Sequence, residues 1–425
     1  MTYEETLEWL YRQLPMFQRQ GPMALKLDLS RMYDMMDLLG NPQDSLTYIH
    51  IAGTNGKGSC SHILASVLQS AGKKVGLYTS PHYKDFRERI KINGSFIPKD
   101  FVTHFVEEKG AVLKDLQPSF FELTFCMAIQ YFAEQQPDIV ILETGLGGRL
   151  DSTNIVKPIA CLITNIGYDH QQFLGDTLPE IAFEKAGIIK AGVPVLIGEH
   201  QEEVAFVFEQ VALELKAELK YAKAFLDIER GKEDRIQLRW DKGTEEEMSC
   251  DLGGPFALKN IRSSLALLSM MSEQIAGFEH VLDHLEDGLK QVSQQTYYIG
   301  RWMIPSRSPL TVLDSAHNVE GITIAMEEIN RLNRGQLHIV FATVGDKDAS
   351  AVLSLLPDSA RYFFTQAKIP RAKDARVLME EAGKLGLSGS AFTNAEDALS
   401  AAVKMAKPED TILALGSIFL VAELI

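Results

Sequence analysis

The residues most able to do chemistry sit in one stretch, Gly53-Thr-Asn-Gly56-Lys57-Gly58-Ser59. Glycines let backbone N–H groups turn inward with no Cβ in the way. Lys57 supplies a point charge for β- and γ-phosphates, and Ser59 offers a hydroxyl to phosphate or Mg2+. The spacing departs from the usual phosphate loop: two residues lie between Gly53 and Gly56, where four commonly precede Gly-Lys. A glycine-rich turn with a chance lysine is the competing reading. Further along, Glu143 closes the apolar run Asp138-Ile-Val-Ile-Leu and suits Mg2+, which takes one or two carboxylates and keeps waters. Ser80, in Thr79-Ser-Pro-His82, and His170, in Gly167-Tyr-Asp-His, are weaker candidates, since serines before proline are common in turns and a lone His is more often a satisfied surface or core group. Lys185, beside Glu184, reads by itself as an ordinary exposed helix lysine. Asp314 ends the run Val312-Leu-Asp and is placed for a ribose or base-side contact, while Arg301 can reach a phosphate.

These groups need a frame that brings them together. Tyr48 to Ala52 reads as a buried strand emptying into the glycine loop, and Cys60 to Ala71 as the helix after it. A helix N-terminus adds unpaired donors and partial positive charge, so a nucleoside triphosphate is the leading ligand. Helices are expected over 4–14, from Leu29 to Leu39, over 99–116, 119–136 and 178–190. Strands are expected over 74–78, 138–143, 159–166 and 193–197. The basic segment 83–97 reads as a surface loop or hairpin, and 225–252, with turns at Arg230-Gly-Lys232 and Asp241-Lys-Gly243, as antiparallel hairpins. Helices near 256–272 and 278–291 follow, and Ser293-Gln-Gln-Thr296 is the expected linker. Strands near 310–314, 337–343, 360–365 and 411–415 begin a second α/β rhythm. The fold class is therefore α/β: a doubly wound, mostly parallel phosphate-loop domain with a small antiparallel insert over 1–295, and a smaller Rossmann-like domain over 296–425. Ligands of such sheets lie beyond the strand C-termini, where Ser59, Ser80, Glu143 and His170 all fall.

Length fits two domains, since 425 residues exceed one ordinary core. A net charge of −15 argues against nucleic acid or an anionic membrane as partner, though a local cradle can oppose the global sign. The four cysteines are scattered without metal-ligand spacing, which fits a reducing cytoplasm. Cys60, next to Ser59, reads as packing in preference to redox chemistry. No secretory signal is expected, and no run approaches the ~20 apolar residues of a membrane span.

Together the stretches Gly53–Ser59, Thr79–His82, Phe121-Glu122, Glu143-Thr-Gly-Leu-Gly-Gly-Arg-Leu-Asp-Ser-Thr-Asn154, Asn165–His170, Phe183-Glu-Lys-Ala-Gly187, Asn260 and Asp314-Ser-Ala-His-Asn318 follow one another along nearly the whole chain. In this the sequence resembles the folylpolyglutamate synthase/dihydrofolate synthase family, within the wider Mur ligase group. The resemblance implies an ATP-driven amide ligase that adds L-glutamate to dihydropteroate or to a reduced folate carrying glutamates, through an acyl phosphate. It implies Mg2+ at Ser80, Glu143 and His170, with a second ion near His170 and Lys185. ATP would be held by Asn55, Gly56, Lys57, Gly58, Ser59, Asn260, Arg301 and Asp314. Ser119, Phe120, Phe121, Glu122, Leu150, Asp151 and Ser152 would line the pterin acid site. Lys57, Lys185, His170 and His317 are the candidate catalytic groups, with Lys185 carbamylated. K+ is carried as a further cofactor candidate on which the residues are silent, and a cytoplasmic monomer is the working expectation. Two rivals stay open: a Mur-type ligase acting on another carboxylate, such as a cell-wall nucleotide peptide, and a phosphate-loop nucleotide-binding protein without ligase activity.

Overall fold

Tyr48–Ala52 is buried along its whole length, as a strand covered on both faces must be. It is β1 of a sheet continued by β2 (Val75–Tyr78), β3 (Ile90–Ile92), β4 (Ser95–Phe96), β5 (Ile139–Glu143), β6 (Ala160–Ile163), β7 (Val195–Ile197) and β8 (Leu219–Tyr221). The computed structural model describes residues 1–14, 28–231, 235–345 and 349–425. Lys232, in one of the expected hairpin turns, lies outside them. The strand order is β4-β3-β2-β5-β1-β6-β7-β8, parallel from β2 to β8 with β3 and β4 antiparallel at one edge. From β1 the chain passes to β2 on one side, and later to β6 on the other. The order therefore reverses at β1, which makes the C-terminal ends of β1 and β6 the crevice where such sheets bind ligands.

The two faces of β1 feed different cores. Ile49 and Ile51 pack with Ile63, Leu64 and Val67 of the helix Lys57–Ser70 and with Ile261 and Leu265 of the helix Ala257–Gln274. Tyr48 faces the opposite layer, with Phe125, Ile129 and Phe132 of the helix Phe120–Gln135 and Met32 and Met36 of the helix Ser30–Leu39. The expected hairpins form a three-stranded antiparallel sheet, β9 (Leu226–Arg230), β10 (Arg235–Trp240) and β11 (Glu245–Ser249), whose apolar side (Ile236, Leu238, Met248) joins the first of these cores.

The described chain divides into two compact units, the second comprising Gly253–Pro255 and Ile299–Ile425. Its sheet contains β12 (Met303–Arg307), β13 (Leu310–Leu313), β14 (Leu337–Phe341), β15 (Arg361–Phe364), β16 (Gly389–Ala391) and β17 (Thr411–Leu415), in the order β12-β13-β17-β14-β15-β16 with only β12 antiparallel. Among the described residues no helix is long and apolar enough to cross a membrane.

Two expectations are corrected. Ser293–Thr296 is not an open linker: Val292–Thr296 is a helix, and Thr296 is fully buried against the first unit. The segment 83–97 does contain the hairpin β3–β4, but two of its four cations are not at the surface. Arg89 and Lys91 are buried, because β3 is paired into the main sheet through β2. Arg89 donates from Nε to His82 Nδ1 at 2.8 Å and lies over the Phe120 ring, and Lys91 donates to the Thr296 carbonyl at 2.9 Å.

Candidate active site

The glycine loop is sewn to the end of β6. Thr54 N donates to Asn165 O and Asn55 N to Asn165 Oδ1, both at 2.9 Å, while Thr164 Oγ1 donates to Asn55 O at 2.6 Å. This approach leaves no room for a side chain at position 53. Gly53 has a φ of +145°, and a Cβ there would lie 1.8 Å from Thr164 Oγ1. Gly56, also at positive φ, is the N-cap of the helix Lys57–Ser70, and Asn260 sits against it, 2.2 Å from where a Cβ would be. So the structure brings Asn55, Gly56, Lys57, Gly58, Ser59 and Asn260 into one place, with a helix N-terminus opening onto them. Thr164 and Asn165 were not singled out as site residues by sequence. Asn165 opens one of the stretches that carry the resemblance, and Thr164 precedes it at the end of an apolar run.

Two ammonium groups converge on one oxygen. Lys57 Nζ donates to Gly53 O at 3.0 Å and Thr54 O at 3.1 Å, and Lys185 Nζ donates to Gly53 O at 2.9 Å. Lys185 is 4% exposed, which corrects its reading as a solvated helix lysine. The cause is a close helix–loop contact: a Cβ at Gly187 would fall 2.3 Å from Arg149 Cα, and Asn154 Nδ2 ties Arg149 O to Gly187 O. The helix Leu178–Ala186 is thereby pressed onto the Gly-Gly-Arg loop, and Lys185 points inward. Burial, then the Lys57 charge, lowers its pKa to about 7, against the pull of Asp169 and Asp151.

Glu143 ends β5 beside the same loop. Its carboxylate oxygens lie 3.6 Å from where a Cβ of Gly58 would be, and Ser80 N donates to Oε2 at 3.0 Å. Ser80 and Glu143 are thus adjacent, on the two strands that flank one another in the sheet. His170 opens the short helix Gln171–Leu174 at a left-handed φ of 52°, with Nε2 3.7 Å from Asp169 Oδ2. The Asp169 charge is felt at Lys185, whose pKa it pulls upward. Among the described residues no three His, Cys, Asp or Glu side chains cluster as an all-protein metal cage. Glu143 with Ser80 offers hard oxygens at a phosphate loop, the donor set Mg2+ prefers, so these residues fit the metal.

The expected pterin-site residues divide in two. Phe121 is half-buried, edge-on to Tyr78 at 5.9 Å, and leaves no space for a Cβ at Gly145. Phe120 packs with Tyr11, Phe86 and the Arg89 guanidinium. Leu150 and Ser152, which flank Asp151 in the chain, are partly exposed. Ser119, Glu122 and Asp151 have structural work instead. Ser119 and Glu122 form a capping box at the start of the helix Phe120–Gln135, and Glu122 also takes Arg31 at 3.3 Å. Asp151 accepts from Gly145 N, Leu146 N, Thr153 N and Thr153 Oγ1, so all its lone pairs serve the loop. Burial raises its pKa against those bonds.

In the second unit Asp314 is buried after β13. Its two oxygens accept from Trp302 N and Ala316 N, each at 2.8 Å, and the former bond holds Trp302 at a left-handed φ of 43°. Arg301 is close enough to oppose the rise that burial causes in the Asp314 pKa. Ser315 Oγ donates to Gly300 O, and His317 Nδ1 lies 3.0 Å from Ser315 O. Arg301, Asp314 and His317 therefore share one turn cluster at the C-terminal end of β13.

Two family models match: the Mur ligase middle domain over residues 51–268 and the Mur ligase glutamate ligase domain over residues 300–418. The dihydrofolate synthase/folylpolyglutamate synthase of Bacillus subtilis is 30% identical over 99% of this chain and 98% of its own. The chain belongs to this family. It spans about half the length of the probable bifunctional folylpolyglutamate synthase/dihydropteroate synthase of Haloferax volcanii, to which it is 30% identical over 100% of its own length. The Escherichia coli FolC structure in complex with DHPP and ADP superposes with a TM-score of 0.86 at 29% identity, covering 100% of this chain and 97% of that one. A bifunctional folylpolyglutamate synthase/dihydrofolate synthase with Mn, AMPPNP and L-glutamate bound gives a TM-score of 0.83 at 27% identity, with 100% and 97% covered.

Proposed function

We propose that this family member is an ATP- and Mg2+-dependent ligase. It joins the amine of L-glutamate to the carboxylate of dihydropteroate or of a reduced folate bearing glutamates. The observation that carries the reading is the pair of ammonium groups on Gly53 O with Glu143 beside Gly58. Lysine nitrogens next to a carboxylate at a glycine loop suit a triphosphate and its metal, and relatives in complexes with ADP, AMPPNP, DHPP or glutamate support it.

The substrate carboxylate attacks the γ-phosphorus, forming a C–O–P acyl phosphate and breaking the bond to ADP. The glutamate amine then attacks the acyl carbon, loses a proton, and phosphate departs as the amide forms. Loop N–H groups and Lys57 hold the phosphates in line and neutralise the charge that shifts to ADP. Bound at Glu143 and Ser80, Mg2+ would add Lewis-acid charge neutralisation at the phosphates. Phe121 gives the pterin acid an aromatic wall, with Phe120 buried in the core beside it in the chain. Arg301, Asp314 and His317 are assigned to the nucleotide side of the reaction. Lys185, buried and with its pKa lowered to about 7, presents a neutral amine fraction that can take up CO2. The neutral nitrogen bonds the carbon and one proton leaves to water, placing a carbamate anion beside Lys57. Carbon-13 bicarbonate should then label the parent protein, and the Lys185→Gln variant should show no such signal.

The test of function is ADP release from Mg·ATP. It should require both L-glutamate and dihydropteroate or a reduced folylglutamate. Release that ignores either one, or that responds instead to a different acid, would overturn the substrate assignment.

A further inference from the structure

The helix Lys57–Ser70 carries polar residues on one face: Ser59, His62, Ser66 and Ser70 recur at i, i+3, i+7 and i+11. This seam receives the last stretch of the first unit. Ser66 Oγ lies 2.7 Å from Gly288 O and 2.8 Å from Gln295 Oε1, and Ser70 Oγ lies 3.4 Å from the same amide oxygen. His62 Nδ1 lies 2.6 Å from Thr296 Oγ1, whose own proton goes to Val292 O at 2.5 Å. The imidazole must therefore be the donor, which fixes its tautomer. At the top of the seam Ser59 Oγ and Tyr298 Oη stand 2.7 Å apart, and the Tyr298 ring is held edge-on to His62, with centroids 5.0 Å apart. Tyr298 is the last residue of the first unit.

A serine hydroxyl has one proton and two lone pairs. If it serves a cation through a lone pair, its proton needs another acceptor, and a phenol oxygen is in place. We propose that Tyr298 is a positioning residue for metal–nucleotide binding: it accepts the Ser59 proton and so fixes the rotation of the hydroxyl at the phosphate loop. The polar seam below it, locked by His62 and Thr296, keeps the phenol at that spot. This inference rests on the phosphate-loop reading above and adds a residue that the sequence motif does not contain.

The test measures the Kd of ADP, with and without Mg2+, for the full chain and for Tyr298→Phe, which keeps the ring against His62. The variant should bind Mg·ADP about tenfold more weakly, bind metal-free ADP as the parent does, and keep the parent's urea midpoint. In a Ser59→Ala background, Tyr298→Phe should have no further effect. An unchanged Kd for Mg·ADP, an equal loss with and without the metal, or an additive loss in the Ser59→Ala background would overturn the role of Tyr298 while leaving the nucleotide site intact. A parent that binds no Mg·ADP would overturn the reading beneath it.

Discussion

The carbonyl oxygen of Gly53 takes hydrogen bonds from two lysines, and burial together with the Lys57 charge lowers the pKa of the other, Lys185, to about 7. Such an arrangement stores electrostatic free energy that an anion can release. Lys57→Ala and Glu143→Ala should each lower turnover by about 10²–10³-fold with the fold retained, as read by ADP release alongside circular dichroism. Substantial activity in either variant would count against the assigned site. Lys57 and Glu143 were legible from sequence because their chemistry is local: a lysine inside a glycine loop and a carboxylate at the end of an apolar strand. Lys185 was not. Its burial comes from the approach of Gly187 to Arg149, a tertiary contact that the spacing around Lys185 does not encode.

At the scale of elements, side chains expected at the ligand hold backbone in place. The Ser119–Glu122 capping box starts the helix that carries Phe120 and Phe121. Ser119→Ala should cost about 1 kcal/mol, seen as a lower urea midpoint. Its motif, serine followed three residues later by glutamate, was present in the sequence and has a capping reading as well as a ligand one. The strand β3 gives a second case. Alternating cations look like a wet hairpin, yet pairing through β2 buries Lys91 and lowers its pKa to about 7, despite the opposing pull of Glu88 and Glu143. The unfolded lysine titrates near ~10.4, so between roughly pH 7 and 10 the unfolded chain binds more protons and stability from this group rises with pH. Urea midpoints of the parent should gain between pH 7 and 9.5, and Lys91→Met should lose part of that gain. An identical pH slope in the variant would contradict the assigned burial cost.

For the whole molecule, two doubly wound units were readable from the alternation of strands and helices, and the antiparallel insert from its change of pattern. The division was less so, because the polar run at 293–296 looks like a linker while Thr296 is a buried anchor of the first unit. Chemistry spread over the ends of β1, β2, β5 and β6 fits the proposed reaction, in which ATP activates an acid for attack by an amine. The measurement that tests this most directly uses dihydropteroate labelled with oxygen-18 in its carboxylate, together with Mg·ATP and L-glutamate. An acyl phosphate requires one labelled oxygen to appear in the released phosphate for each amide formed. Amide formation with unlabelled phosphate would contradict the account.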